Sequence, residues 1–472
     1  MLKKKVDEKI YIILFVFVSI ILAVPSIIYL IKNKTIYKFY QVWTFFFSIP
    51  STATEKVVNA LVLFVIISVL FLLYFLIMKK NKNIFKNAKT IIISIFLVSI
   101  IFALIIPFTS TDVYSYIANG WANSKYNENP YYISTGEIAD EYNINEPMFN
   151  KVANCWRYET VVYGPLWTFI CRLFTSFSFG SIDIALMIFK IASIIVHVIN
   201  SMLVYKITKR KLFMIAYGLN PFILFEAIAH VHNDIFIVLF TLLAIYFVKN
   251  KKNIFVSVVF LALAVAIKYW TILLLPFLVL YYVKDKDIKE RIKYCLLCGI
   301  EFIAIIACVY LLYIRDLQVF AGLFIQQEKY SRSIFYILLY FIKNDSIINF
   351  LKSACLIIFV IYYIYIAIKI LLQKEIKFYK EIRKYNIILF IFIFILITSF
   401  NSWYILWLIP TMFWLKPQMI NLILALGYSS QIAYMPNFAL YSEDVQLSIQ
   451  YVAIMWCVAL FLVGTNRKKV KG

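Results

Sequence analysis

The chain has 472 residues, of which 63% are hydrophobic and 15% charged, and its mean hydropathy is +0.85. A soluble domain carries ~45–50% apolar residues, so this composition excludes a soluble globular fold. The net charge of +23 invites a nucleic-acid reading, but Lys and Arg sit in short clusters between apolar blocks. That is the pattern of cytoplasmic loops in a membrane protein, and it argues against nucleic acid as a partner.

The apolar blocks are ~17–25 residues long, enough to cross a bilayer as a helix. Inside lipid each segment must satisfy its own backbone, so the blocks are helices. The pattern predicts an all-α, polytopic membrane bundle of about 14 spans. In chain order these are 10–31, 57–78, 90–107, 182–205, 213–229, 234–249, 254–267, 270–283, 294–314, 347–372, 385–400, 403–415, 418–434 and 445–464. The shorter blocks also fit half-spans or interfacial helices. Lys3-Lys4-Lys5 and the run that follows look like a signal peptide, but the run is too long and lacks a small-residue cleavage site. It reads as the first span.

Basic clusters orient the spans. They lie at Lys79–Lys89, Lys206–Lys211, Lys249–Lys252, Lys284–Lys293, Lys374–Lys384 and Arg467–Lys471. With these spans, all fall on one side, the cytoplasm, together with both termini. The loop 32–56 fits badly, since it is assigned outside yet holds Lys32, Lys34, Lys38 and Lys56. The stretch 163–179 is read as an interfacial or re-entrant helix, because a full span there would put Lys206–Lys211 outside. The longest outer loop, 108–162, is acidic and rich in Asn and Tyr. The seven Cys residues show no metal-ligand spacing, and neither a disulfide nor a zinc site is inferred.

Four outer segments carry candidate chemistry. The first is Thr111-Asp112-Val113-Tyr114-Ser115-Tyr116, followed by Asn129-Pro130-Tyr131. A carboxylate at a span end can act as a general base toward a hydroxyl; equally, Thr-Asp starts helices well. The second is Tyr163-Gly164-Pro165-Leu166-Trp167, a fixed turn with aromatics that also suit simple interfacial anchoring. The third is His230-Val231-His232-Asn233-Asp234, between two apolar runs. It reads as a polar cluster at a cavity mouth or as a helix end, since two His two apart do not share a helix face for a metal. The fourth is Lys268-Tyr269-Trp270 at the outer turn of a short hairpin. Its Lys either meets a phosphate or snorkels to the interface. Arg315, Lys329 and Arg332 in 315–332, and Asn401-Ser402-Trp403-Tyr404, also face outward.

Taken in order, Ser110–Tyr116, Asn129-Pro130-Tyr131, Tyr163–Trp167, His232-Asn233-Asp234, Lys268 and Trp403–Pro410 resemble the GT-C superfamily of polyprenyl-phosphate-sugar-dependent glycosyltransferases. The likeness is to bacterial α-mannosyltransferases of the lipomannan type, and less to the catalytic subunit of GPI mannosyltransferase I. The resemblance implies a two-span extension over 1–89, a catalytic membrane core over 90–415, and C-terminal spans with a basic tail over 416–472. It implies transfer of a hexose, mannose by analogy, from a polyprenyl-phosphate donor. The acceptor would be a hydroxyl on a cell-envelope glycan, lipid or protein, reached at the non-cytoplasmic face, with inversion at the anomeric carbon. Asp112 matches the base of such enzymes. Lys268, Arg332 and Lys329 would meet the donor phosphate. Tyr114, Tyr116, Asn129, Tyr131, Tyr163, His232, Asn233, Asp234, Trp403 and Tyr404 would line the substrate pocket. The family often carries a second carboxylate beside the base; here Thr111-Asp112-Val113 has one, so no metal is assigned and a divalent ion is left open. No P-loop or Rossmann fingerprint is present. The competing readings are a transporter or lipid flippase, and an assembly subunit.

Overall fold

The fold was taken from a computed structural model, which describes residues 8–36 and 52–435. Among these the chain is helical and contains no β-strand. A single parallel bridge joins Ser331 to Ser399. The expected span 445–464, Lys38 and the basic tail Arg467–Lys471 lie outside the described residues.

Among the described residues five helices are long and apolar enough to cross a membrane: Ile10–Asn33, Thr54–Ile84, Ile182–Thr208, Ile288–Tyr310 and Asp345–Leu371. Their outward side chains are apolar, as lipid contact requires; Ile300, Ile303, Ile358 and Ile361 are among the exposed ones. A sixth is possible by pairing Lys211–Gly218 with Pro221–Ala229, which bend by 42°. The bend has a visible cause, because Pro221 has no N–H to continue the helix and Asn220 caps the new start by accepting from Phe222 N–H at 3.0 Å.

The count of about 14 spans is not reached by these helices. Several expected spans are composite. The expected 270–283 is a tight 3₁₀ segment Tyr269–Leu274 running into Leu275–Tyr282. The expected 403–415 is a second 3₁₀ segment, Ser402–Leu408, with one further turn, Ile409–Met412. Ala88–Ala103 and Ile254–Val265 are apolar but short. Such pieces survive where protein surrounds them and satisfies their free backbone groups. Pro165–Ser176, at 12 residues, is too short to cross, in keeping with an interfacial helix.

The two ends of the bundle differ in chemistry. At one end the basic turns hold each other's carbonyls. Lys211 donates to Lys86 O at 3.1 Å, and Lys249 to Ile207 O at 3.1 Å. The Arg291 guanidinium donates to Lys284 O at 2.7 Å and to Leu371 O at 2.7 Å. At the other end, Asp183 accepts from Thr35 Oγ1 at 2.6 Å and from Ile36 N–H at 2.7 Å, tying the end of the first span to the start of Ile182–Thr208.

The loop between Ala88–Ala103 and Ile182–Thr208 folds into short helices. Its longest, Asp112–Lys125, packs closely on Pro165–Ser176. Gly120 makes this approach possible, since a Cβ there would lie 2.4 Å from the Cys171 carbonyl oxygen. The loop is tied to the segment after Ile288–Tyr310 through Asn129 Nδ2, which donates to Tyr313 O at 2.7 Å, and through Lys329 to Glu159 at 2.8 Å.

Candidate active site

Asp112 is the first residue of helix Asp112–Lys125, yet it caps nothing: the helix start has no side-chain cap bond. Its carboxylate instead faces two groups from elsewhere in the chain. Tyr163 Oη donates to Asp112 Oδ2 at 3.4 Å, and His232 Nδ1 lies 3.6 Å from the same oxygen. The Asp112 side chain keeps 15% of its surface exposed, whereas the His232 ring has none. Burial, reinforced by the charge of Asp112, raises the Tyr163 phenol well above its usual range, so Tyr163 stays a hydrogen-bond donor. Tyr116, one turn along the helix, meets the Tyr163 ring edge-on at 5.2 Å.

The backbone around His232 is irregular, which frees its side chains to converge. A π-turn runs over Leu224–Ala229, Val231 is left-handed at φ 61°, and Asp234 starts the next helix. The buried Lys190 ammonium secures this turn, donating to Ala229 O at 3.2 Å and to Ile105 O at 2.5 Å. It thereby joins the turn to the irregular segment that leads to Asp112. Behind His232 lies Glu226, fully buried, with Oε2 3.3 Å from His232 Nε2 and 3.8 Å from His230 Nδ1. Gln431 Nε2 donates to Glu226 Oε1 at 2.5 Å. His230 Nε2 also pairs with Thr109 Oγ1 at 2.9 Å. The His232 ring stacks on Trp403, centroids 3.9 Å apart and planes 19° from parallel.

A second polar group adjoins the first. Lys268 Nζ donates to both oxygens of Asp234, at 2.9 and 2.8 Å, and Trp407 Nε1 donates to Asp234 Oδ1 at 2.5 Å. The ammonium lies 5.7 Å from the Tyr163 ring centre, 5.4 Å from Tyr404 and 5.7 Å from Trp407. It is thus turned inward and does not snorkel. Tyr163 joins the two groups, because Gly164 lets the chain lie against the turn that carries Lys268. Gly164 N–H donates to Ile267 O at 2.9 Å and Leu166 N–H to Ala266 O at 3.0 Å.

Of the candidates named from sequence, Asp112, Tyr116, Tyr163, His232, Asp234, Lys268, Trp403 and Tyr404 therefore share one centre. Asn233 is buried beside them, its amide without a hydrogen-bond partner. Arg332 lies within electrostatic reach of Tyr404. Asn129 and Tyr131 support the centre from outside, Tyr131 Oη donating to Tyr163 O at 2.7 Å. Tyr114, two residues from Asp112 and so on another helix face, is within electrostatic reach of Asp183 and Tyr29 instead. Lys329 is engaged with Glu159 and lies over Trp156 at 4.9 Å. Glu226 and Gln431 were not singled out from sequence, and Trp407 entered only as part of the Trp403–Pro410 motif. Glu226 alone gave a signal, as the one acid in the apolar run 213–229. Among the described residues no group of three or more His, Cys, Asp and Glu is arranged to hold a metal ion.

A helical membrane protein with carboxylates, imidazoles and aromatic faces converging on a mostly buried centre that keeps Asp112 partly exposed has the make-up of a membrane-embedded enzyme acting on a polar group. Residues 17–284 match the family model described as alpha-(1->6)-mannopyranosyltransferase, N-terminal domain, and the chain belongs to that mannosyltransferase family. It is a glycosyltransferase, and the transporter and assembly-subunit readings give way to this. No curated protein and no solved structure matches the chain. The matched region holds Asp112, Tyr163, Glu226, His232, Asp234 and Lys268, while Trp403, Trp407 and Gln431 come from beyond it.

Proposed function

We propose that this enzyme is of the GT-C type and moves a mannosyl group from a polyprenyl-phosphate donor to a hydroxyl of a cell-envelope glycan, lipid or protein, with inversion. The observation that carries the reading is the mostly buried but still solvent-touched position of Asp112 between Tyr163 and His232, beside the Lys268–Asp234 pair. In a single displacement the acceptor oxygen forms its bond to the anomeric carbon while that carbon's bond to the phosphate oxygen breaks. The acceptor proton goes to Asp112, and the polyprenyl phosphate leaves with the bonding electrons. A positioned base of this kind contributes ~10²–10⁴-fold in rate.

Lys268 spends two of its three N–H groups on Asp234. The third remains for the donor phosphate, with Arg332 as a second cation. Lys329, committed to Glu159, serves to hold the outer loop. The flat faces of Trp403 and Tyr404 suit the apolar side of a sugar ring. Transfer through one base requires no metal. The site opens on the non-cytoplasmic side, where a lipid-linked donor is presented level with the membrane. The family description makes an α-(1→6)-linked mannoside the first acceptor to try. The test is transfer from radiolabelled polyprenyl-phosphate mannose to a short α-(1→6)-mannoside by the full chain in proteoliposomes. Transfer from GDP-mannose with none from the lipid donor would overturn the donor class.

A further inference from the structure

Glu226 is the sole acid of the bent segment 211–229, and it has no surface exposure. An acid held inside a membrane bundle is costly and marks function by default. One of its oxygens is occupied by Gln431 at 2.5 Å. The other, Oε2, faces His232 Nε2 at 3.3 Å, while the opposite ring nitrogen faces Asp112 Oδ2 at 3.6 Å. Carboxylate, imidazole and carboxylate thus form a row leading from the interior to the partly exposed Asp112. The ring cannot turn away easily, because Trp403 is stacked on it at 3.9 Å. Neither ring contact has the alignment of a formed hydrogen bond, and both His232 nitrogens and Glu226 Oε2 are buried without one. Buried polar atoms left in this way call for an explanation.

We propose that Glu226 is a positioning residue for sugar transfer, acting on Asp112 through His232; the inference rests on Asp112 being the base. Which imidazole nitrogen carries the proton is set by what the other nitrogen faces. Both carboxylates only accept, and Glu226, the nearer and fully buried one at 3.3 Å against 3.6 Å for the partly exposed Asp112, holds the proton on Nε2 and leaves the Nδ1 lone pair toward Asp112. When Asp112 takes the acceptor's proton, its O–H can donate to that lone pair. The proton is then shared along the row, any positive charge on the ring faces Glu226, and the proton later leaves to water. Gln431, from the later part of the chain, holds the other oxygen of Glu226 in place, while the row itself lies within the matched domain.

The experiment uses the full chain in proteoliposomes with polyprenyl-phosphate mannose and a short α-(1→6)-mannoside. Glu226→Gln keeps size and hydrogen-bonding capacity but removes the charge. It should lower kcat on the order of 10²-fold with both KM values little changed, the mark of an interaction made only in the transition state. His232→Gln should do the same. Residues acting as one row are non-additive, so the double variant should be no slower than the slower single one. Wild-type kcat in Glu226→Gln, a change confined to KM, or multiplicative losses in the double variant would each overturn the inference. If Glu226→Gln does not accumulate in membranes, His232→Gln decides: a loss on the order of 10²-fold in kcat supports the row, and wild-type kcat breaks it. Asp112→Asn separates the two readings. If it turns over normally, the base assignment fails; if it is inactive while Glu226→Gln is normal, the Glu226 inference alone fails.

Discussion

Asp112 and Lys268 illustrate how a residue's surroundings, more than its type, decide what it can do. A Thr-Asp pair at a helix start suits capping, but the Asp112 carboxylate is drawn to Tyr163 and His232. Asp112→Asn keeps shape and hydrogen-bonding capacity and removes the carboxylate proposed as the base. Transfer should fall ~10²–10⁴-fold with membrane levels unchanged; near-normal turnover in proteoliposomes would rule Asp112 out. Lys268 leads to a subtler expectation. From sequence, replacing it by Met should spare the fold, yet Asp234 is fully buried and its partner ammonium only 13% exposed. Removing one member of such a pair leaves an uncompensated charge and costs about 3–5 kcal/mol. Lys268→Met should therefore lower the melting temperature in detergent, and Lys268→Met with Asp234→Asn should recover most of it. If Lys268 also meets the donor phosphate, the double variant will melt normally and still show a raised donor KM. A normal donor KM in that variant would leave Lys268 a structural partner of Asp234 only.

At the scale of elements, the site depends on how closely segments approach. Tyr163 reaches both Asp112 and Lys268 because residue 164 has no side chain: a Cβ there would lie 2.3 Å from Ala266 O. Backbone cannot yield as a flexible side chain does, so Gly164→Ala must push the 163–166 segment away from the Lys268 turn. Overpacking of this kind costs ~1–3 kcal/mol. The variant should melt lower and lose turnover beyond what its melting explains, because Tyr163 leaves both partners. Full activity with unchanged melting would show that the contact does not position the site. This closeness was not legible in sequence. Hydropathy located the long spans well, but it read 213–229 as one helix, although Asn220-Pro221 in its middle signalled the break. It also hid Glu226, because a single acid barely lowers the hydropathy of an apolar run. The motifs at Asp112, Tyr163, His232 and Lys268 were legible, since polar residues at the ends of apolar blocks have few reasons to be there. Gln431 was not, and Trp407 was legible only as part of the Trp403–Pro410 motif, because tertiary packing alone brings them to Glu226 and Asp234.

The whole molecule is divided between two ends, and charge predicts which faces the cytoplasm. Lys86, Lys211, Lys249, Lys284 and Arg291 meet or neighbour one another through their turns at one end. Asp112, His232, Lys268 and Trp403 gather away from these turns, under the loop 108–162. The excess of Lys and Arg in short loops sets orientation, so the basic end should be cytoplasmic and the loop external. The chain carries its own probe of this arrangement. Cys155 lies in that loop and is exposed. Cys171 and Cys298 are buried, Cys295 and Cys308 lie along the span Ile288–Tyr310 and Cys355 along Asp345–Leu371, where lipid covers them, and Cys457 lies outside the described residues. In a Cys457→Ser background a membrane-impermeant maleimide should label the protein in intact cells, and adding Cys155→Ser should remove that labelling. Labelling of Cys155 that needs permeabilised cells would invert the molecule. A lipid-linked donor would then have to be used on the cytoplasmic leaflet, and the basic turns would face outward against the rule that orients them.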